Sequence, residues 1–231
     1  MRIDFISDVA CPWCAVGLNS LERALERIGD EIPVKLEFQP FELNPTMDEE
    51  GADAAEYLRN KYGMSAEQLQ RNRENIRARG AEVGFAFGER MRVWNTFDAH
   101  RLLHLAAEHG VQDAVKERLL RATFTEGEPI GDHDALVRLV AEAGLDADEA
   151  RAVLASDRYA AEVRGDQQQA RAHGITGVPF FVVDGRYGVS GAQPAEALGQ
   201  VLAQAWAERS PLQMVAAGGP APGCDGDTCA V

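Results

Sequence analysis

The sequence predicts an α/β fold in which a small sheet is interrupted by a large helical insertion. A strand, a helix and a second strand follow one another at the start of the 231-residue chain. Residues from about 52 to 171 have almost throughout the apolar spacing of helices. Strands return only near residue 180, where two short apolar runs flank a tight turn. The insertion is therefore expected between two halves of the α/β part.

The first strand and helix meet at a pair of cysteines. Residues 2–6 have the alternation of a strand, and a helix is predicted from near Cys11 towards Ile28. Pro12 suits the first helical position, because its missing N–H would be unpaired there anyway. Cys11 then occupies the N-cap, where the free amides and the helix dipole favour a thiolate. Cys14, one turn on, is close enough to form a disulfide with Cys11, which indicates thiol–disulfide exchange.

A second strand and a series of helices follow. Residues 33–38 alternate apolar and polar side chains as a strand does, and Pro40 and Pro45 then break regular structure. A helix is predicted over residues 96–109. Four more helices are predicted to begin at an aspartate, a favourable N-cap residue, over residues 113–124, 132–143, 146–155 and 157–173.

The C-terminal part contains a hairpin and a last helix. Phe180–Val183 and Tyr187–Ser190 flank Asp184-Gly185, which is a strong hairpin signal, and a helix over residues 194–208 follows. We therefore divide the chain into four segments. They are an N-terminal α/β part at 1–45, a helical insertion domain at 46–155, a C-terminal α/β part at 156–209 and a flexible tail at 210–231.

The composition excludes several classes of partner. A formal net charge of −14 argues against nucleic acid and anionic membranes. No apolar run reaches the length of a membrane span. Asp4 and Asp8 lie where a signal peptide requires a long apolar core, so we expect a cytoplasmic protein. We expect it to be either a monomer or a homodimer. In that compartment a CxxC pair is more often catalytic or metal-binding than a structural disulfide.

A second motif makes the cysteine signal more specific. Gly177-Val178-Pro179 directly precedes the apolar strand at Phe180, and together with the CxxC helix this order has the outline of a thioredoxin fold. The chain resembles the DsbA-like branch of the thioredoxin superfamily, and within it the FrnE-type cytosolic disulfide oxidoreductases. The motifs that carry the resemblance are Ser7-Asp8-x-x-Cys11-Pro12-Trp13-Cys14, Phe41-x-Leu43-Asn44-Pro45, Asn95-Thr96-x-x-Ala99-His100-Arg101 and Gly174-Ile175-x-Gly177-Val178-Pro179-Phe180-Phe181.

The resemblance implies a site and an activity. Its members place a cis-proline, here Pro179, opposite the CxxC, and the residue before it, here Val178, pairs with an extended substrate. Cys11 is then the nucleophile and Cys14 the resolving thiol of an oxidase, reductase or isomerase. The expected partners are thiol- or disulfide-containing proteins or small thiols. No metal or organic cofactor is required, and glutathione is a candidate thiol co-substrate.

The two residues between the cysteines bear on the direction of the reaction. Pro12 and Trp13, which we expect to contact substrate, replace the Pro-His of periplasmic DsbA. Without the histidine, Cys11 is expected to be a less extreme leaving group and the pair less oxidising. A reductase or isomerase is therefore favoured over a strong oxidant.

A rival family shares the fold. Kappa-class glutathione transferases and 2-hydroxychromene-2-carboxylate isomerases normally have serine at the position of Cys11 and lack the second cysteine. Ser190 and Gln193, after the last strand, offer few charged ligands for glutathione but leave weak binding open. A redox-inert holdase or a zinc-binding protein is the third alternative.

Cys224 and Cys229 in the tail have three interpretations. In the first they are idle thiols, and in the second they are an auxiliary redox pair that exchanges with Cys11–Cys14. In the third, all four cysteines are ligands of one zinc ion. Acidic neighbours would raise the pKa of the tail thiols and make them slower nucleophiles.

Other polar residues are candidates for tuning the site or lining its cleft. Asp8 either modulates the resolving thiol or is a turn residue. Asn95 and His100 are expected in the wall that the insertion contributes, and Phe41 at the opposite edge. His100 and His104 have a helical spacing that can bind metal, but a packed or hydrogen-bonded histidine is the favoured interpretation.

Overall fold

The fold is that of a computed structural model, which describes residues 1–48, 50–89 and 92–209. It contains a four-stranded sheet in the order β2-β1-β5-β6, formed by β1 (Arg2–Ser7), β2 (Lys35–Pro40), β5 (Phe180–Val183) and β6 (Tyr187–Ser190). β1 pairs parallel with β2 and antiparallel with β5, so strands distant in sequence form one sheet. The predicted α/β thioredoxin-like fold with a helical insertion is confirmed.

Two helices cover the sheet. α1 (Pro12–Ile28) begins with Cys11 as its N-cap, in extended conformation, and with Pro12 in its first turn. α9 (Ala195–Ala207) packs against α1 after the β5–β6 hairpin. Phe5 and Phe181 stack with ring centroids 4.7 Å apart beneath these helices. Burial of these aromatic and aliphatic side chains from water is the main term that fixes the position of α1, and therefore of the cysteines.

The insertion consists of seven helices, α2–α8, among the described residues. They are α2 (Ala54–Tyr62), α3 (Ala66–Val83), α4 (Phe97–Glu108), α5 (Gln112–Arg121), α6 (His133–Glu142), α7 (Ala147–Leu154) and α8 (Ala160–Ala172). The α4–α7 group has a buried apolar core of its own. α8 packs against both β2 and α4 and so borders both parts of the fold.

The predicted aspartate caps are confirmed in two of the four helices. Asp132 accepts a hydrogen bond from the Ala135 amide, and Asp146 from the Glu149 amide, each at 2.8 Å. α5 instead begins one residue before Asp113, with Val111 as its N-cap, and α8 begins at Ala160 rather than at residue 157. In both helices the preference of an aspartate for the N-cap, a weak local signal, does not set the first residue.

Three further differences concern local geometry. β2 begins at Lys35, two residues later than predicted, because its register is fixed by pairing with Arg2. A short antiparallel pair, β3 (Ala52–Asp53) and β4 (Arg92–Val93), was not predicted, since two-residue strands carry no periodicity. The backbone after α5 continues as a π-helical turn at Ala122–Glu126. No helix in the described part of the chain is long and apolar enough to cross a bilayer.

Candidate active site

Cys11 and Cys14 lie at the start of α1, just beyond the end of β1. The Cys11 amide donates to the Asp8 carbonyl at 3.1 Å, which closes the loop between strand and helix, and the Cys14 amide donates to the Cys11 carbonyl at 3.0 Å. Both cysteines are free thiols and buried, with Cys11 4% exposed and Cys14 not exposed. The expected cysteine pair at a helix N-terminus is therefore in place.

The surroundings of Cys11 favour its thiolate. A hydrogen bond from the Cys14 thiol lowers the pKa of Cys11, and the backbone amides of Cys14 and Trp13 lower it as well. Burial and the negative charge of Asp8 oppose this lowering without cancelling it. Both amides belong to the first turn of α1, next to the Cys11 sulfur. Cys11 is therefore the thiol of the pair that is poised to attack.

The surroundings of Cys14 have the opposite effect. Burial raises the pKa of Cys14 well above its ordinary value, and donation of its proton to Cys11 and the charge of Cys11 raise it further. The positive charge of Lys116 and the backbone amide of Asp8 lower the pKa of Cys14, but not enough to compensate. Cys14 therefore keeps its proton to a higher pH than Cys11 does.

Lys116 is a residue of this site that sequence reasoning missed. It lies on α5 and is fully buried, and its ammonium has no hydrogen-bond partner among the described residues. Its Nζ lies 5.7 Å from the centroid of the Phe38 ring. Burial lowers the pKa of Lys116 to about 8, although the charges of Cys14, Asp8 and Cys11 favour its protonated form. Its helical spacing to the apolar Leu119 and Leu120 is the signal that could have identified it as buried.

Asp8 joins the cysteine loop to both parts of the fold. Its carboxylate accepts hydrogen bonds from the amides of Ala10 and Leu43, at 3.1 and 2.7 Å. His100 Nε2 lies 3.5 Å from the same carboxylate and 3.1 Å from the Phe41 carbonyl oxygen. Burial alone would raise the pKa of Asp8, but these donors and the charge of His100 hold it below its ordinary value. The structure thus brings Asp8, His100 and Phe41 together. The Asp8 carboxylate is ionised and is anchored behind Cys11.

Val178 and Pro179 lie directly opposite Cys11. Their peptide bond is cis, as the resemblance implied, and the Cys11 sulfur lies 3.5 Å from the Val178 carbonyl oxygen. Gly17 on α1 lets Pro179 approach the helix closely, since a Cβ on Gly17 would lie 3.1 Å from Pro179 Cγ. The absence of a side chain at Gly17 therefore helps to set the distance between the proline loop and the cysteine helix.

Replacing Gly17 with valine is expected to displace the proline loop. Overpacking of this kind costs about 1–3 kcal/mol, and it also moves Val178 relative to Cys11. We expect a lower free energy of unfolding and slower disulfide reduction. Gly165 on α8 has no neighbour within 4 Å of its Cβ position, so Gly165→Val is the matched helical control and should retain wild-type behaviour. Unchanged unfolding of Gly17→Val in urea would show that this packing is looser than described.

A cavity of about 870 Å³ opens above Cys11. Pro12, Trp13 and Val178 line it together with Cys11, so the predicted substrate-contacting residues meet at one surface, whereas Pro179 is buried behind Val178. The remaining wall comes from α2, α3, the loop at residues 43–47, Phe124 and the segments around Phe87 and Trp94. The site is therefore a roofed cleft between the thioredoxin-like part and the insertion.

Three predicted residues support this cleft without lining it. Asn95 donates to the Met47 carbonyl at 3.0 Å and accepts from the Phe97 amide at 2.8 Å, which fixes the loop at the cavity rim. Phe41 and His100 are buried behind the wall. His104 pairs with Asp166 at 3.2 Å, and the described residues contain no cluster of three or more metal-ligating side chains. Cys224 and Cys229 lie outside the described residues.

Comparison with known proteins defines the family. The sequence profile of the DSBA-like thioredoxin domain matches residues 2–203, nearly the whole chain. The chain belongs to the DSBA-like thioredoxin domain family. Among known proteins, the uncharacterized protein YwbO of Bacillus subtilis (strain 168) is 29% identical over 188 residues, which cover 79% of this chain and 86% of YwbO.

Solved structures agree with the DSBA-like assignment. The probable DsbA oxidoreductase SCO1869 from Streptomyces coelicolor is 45% identical, with a TM-score of 0.90 over 100% of this chain and 99% of that one. The cytosolic disulfide reductase DsbM from Pseudomonas aeruginosa, in a structure with GSH, is 18% identical, with a TM-score of 0.62 over 88% of this chain and 98% of that one. The second likeness concerns the fold alone. The chain is thus a DsbA-like probable thiol–disulfide oxidoreductase.

Proposed function

We propose that this chain is a FrnE-type, cytoplasmic thiol–disulfide oxidoreductase that acts mainly as a reductase or isomerase. The observation that carries the proposal is the opposite direction of the two pKa shifts at the cysteines, lowered at Cys11 and raised at Cys14. A cavity-lining thiol with a lowered pKa beside a fully buried partner with a raised pKa is the arrangement that stepwise disulfide exchange requires.

The first step uses the Cys11 thiolate. It attacks one sulfur of a substrate disulfide, a Cys11–substrate disulfide forms, and the other substrate sulfur leaves as a thiolate. Val178, whose carbonyl faces Cys11, offers backbone hydrogen-bonding groups to an extended substrate. No metal or organic cofactor takes part in this step.

The second step needs the proton of Cys14 to be removed. Once Cys11 is bound in a mixed disulfide, it no longer carries the negative charge that raises the pKa of Cys14, while Lys116 still lowers it. The Cys14 thiolate then attacks Cys11, the second substrate sulfur leaves, and the Cys11–Cys14 disulfide remains. Lys116 is a positioning charge that favours the thiolate of Cys14 in this step.

The electron donor is proposed to be a small thiol, and glutathione is the first candidate. The likeness to a cytosolic disulfide reductase whose structure contains GSH supports testing glutathione first. The roles of Cys224 and Cys229 as an auxiliary pair belong to the same proposal.

A glutathione-dependent isomerase or transferase is the alternative. It would use one sulfur or hydroxyl to hold glutathione and would not need Cys14. The Gln193 side-chain amide donates to the Ser190 carbonyl at 2.9 Å, which leaves it less available as a ligand for glutathione. The buried Cys14 thiol, hydrogen-bonded to Cys11, favours the redox function.

Cys14→Ser separates these two functions. The redox function predicts that this variant stops after the first step and accumulates a disulfide between Cys11 and its substrate, since serine cannot resolve it. We expect mass spectrometry to show a substrate adduct on the peptide that contains Cys11 after reaction with hydroxyethyl disulfide. Multiple-turnover reduction of insulin in dithiothreitol should fall towards the background rate. Full turnover of the variant, with no adduct, would contradict the redox function and favour the alternative.

A further inference from the structure

The position of Cys11 restricts what can reach it. Its sulfur lies at the floor of the roofed cavity, and the residue is only 4% exposed. The roof is tied to the floor by Lys61 of α2, whose ammonium donates to the Leu43 carbonyl oxygen at 2.7 Å. Arg23 of α1 ties down α3 through the Glu82 carbonyl oxygen at 2.6 Å. A disulfide that reacts with Cys11 must therefore enter the cavity.

The size and lining of the cavity suit a small molecule. About 870 Å³ lies within the range of small-molecule sites, roughly 300–1,000 Å³. Aromatic side chains supply much of the wall, and they would pack against the apolar body of a ligand. They are Trp13, Tyr57, Tyr62, Phe87, Trp94 and Phe124.

Two arginines give the cavity a charge preference. Arg73 and Arg77 lie one turn apart on α3, about 6 Å along the helix axis, and both line the cavity. Neither forms an ion pair with a carboxylate of the described residues, and Arg77 donates only to the Gly88 carbonyl oxygen, at 3.3 Å. Of the acidic residues in the wall, Asp8 is already bound by His100 and two amides, and Glu89 is exposed. The wall thus carries two cationic side chains in a chain whose net charge is −14.

We propose that the cavity binds low-molecular-weight disulfides that carry a carboxylate, with Arg73 and Arg77 holding the carboxylate and Cys11 receiving the disulfide. This inference rests on the proposed redox function and names its substrate class. Guanidinium groups bind carboxylates through paired, charge-assisted hydrogen bonds. The Cys11 thiolate and the Cys14 thiol supply two electrons and one proton, so the disulfide RSSR leaves as one RS⁻ and one RSH, and the chain retains a Cys11–Cys14 disulfide.

The test compares three disulfides that differ in charge. The reduced full-length chain is mixed with glutathione disulfide, which is anionic, hydroxyethyl disulfide, which is neutral, or cystamine, which is cationic. The second-order rate constant for formation of the Cys11–Cys14 disulfide is divided by that of free dithiothreitol with the same compound, which removes differences in intrinsic reactivity. We expect the Arg73→Gln/Arg77→Gln variant to lower the ratio of glutathione disulfide to hydroxyethyl disulfide by about tenfold, the loss of one good charge-assisted interaction. The ratio of cystamine to hydroxyethyl disulfide should rise.

Arg71→Gln is the matched control, because it removes one positive charge from the same helix at an exposed residue outside the cavity wall. It should change the first ratio less than about twofold. An equal effect of Arg71→Gln would mean that overall charge, not the cavity, selects the substrate, and would overturn the inference. It is equally overturned if the double variant slows insulin reduction as much as glutathione disulfide reduction, since the site would then serve polypeptides. If no disulfide oxidises the wild-type chain faster than it oxidises a free thiol, the proposed redox function itself fails.

Discussion

Cys11→Ser is expected to reduce the rate of disulfide reduction to that of dithiothreitol alone, because a serine hydroxyl is neither ionised nor redox-active at neutral pH. The wild-type thiol should be readily alkylated. Since the pKa of Cys11 is lowered, its thiolate fraction at pH 7 exceeds that of a free cysteine, whose pKa is about 8.5. The rate of iodoacetamide alkylation of Cys11, followed against pH, should therefore reach half its maximum at a lower pH than that of a free cysteine measured in the same way.

Two substitutions of the partner test the cause of this lowering. Cys14→Ala removes the hydrogen bond to Cys11, the largest of the causes, and should move the alkylation midpoint upwards. Cys14→Ser keeps a hydroxyl donor at the same place and should move it less. If alanine and serine give the same midpoint as wild type, the helix N-terminus alone sets the reactivity of Cys11.

Lys116→Met is expected to make the protein more stable and its catalytic cycle slower. Burial holds the pKa of Lys116 at about 8 rather than 10.5, so the charged form costs on the order of 3 kcal/mol in the folded state. The direction of the pH dependence follows because the pKa of Lys116 is lower in the folded than in the unfolded protein. The cost is fully present below pH 8, declines as the pH rises from 8 towards 10.5, and is absent above that range. Methionine fills a similar volume without a charge.

Urea unfolding at several pH values measures the first effect. The free energy of unfolding of Lys116→Met should exceed that of wild type by about 1–3 kcal/mol at pH 7, and the difference should shrink by pH 10. Lys35→Met is the control, because Lys35 is exposed, and should stay within about 0.5 kcal/mol of wild type. A destabilised Lys116→Met at pH 7 would mean that the ammonium gains more from Asp8 and the cysteines than burial costs it.

Reactions quenched at successive times measure the effect of Lys116→Met on the second step of the exchange. Without the positive charge that lowers the pKa of Cys14, the second step should slow while the first is little changed. The mixed disulfide on Cys11 should therefore live longer in Lys116→Met than in wild type, and rising pH should shorten its lifetime. Equal lifetimes in the two proteins would remove Lys116 from the mechanism.

Short motifs predicted the parts of the site that depend on local sequence. Cys11 at the N-cap, Pro12 after it and the hairpin around Asp184-Gly185 depend on neighbours within a few residues, and the structure has them as predicted. The cis bond at Pro179 came from resemblance rather than from propensity. The helical insertion was visible because its periodicity extends over many turns.

The parts that sequence reasoning missed depend on contacts between distant segments. Lys116 is 102 positions from Cys14, and only the docking of α5 on β2 brings its charge to the cysteines. The bond from the Leu43 amide to Asp8 likewise joins two loops that no local pattern relates. Arg73 and Arg77 resemble any pair of exposed helix charges until α3 is seen above the cavity.

The contact between Gln112 and Phe38 has a consequence for solubility. β2 is an outer strand of the sheet, and the Gln112 side chain of α5 accepts from the Phe38 amide at 3.1 Å and donates to its carbonyl at 3.3 Å. An outer strand with unpaired backbone groups is a template for pairing with another chain. The insertion that roofs the cavity thus also shields this edge of the sheet, and it protects a concentrated solution of the protein against edge-to-edge aggregation.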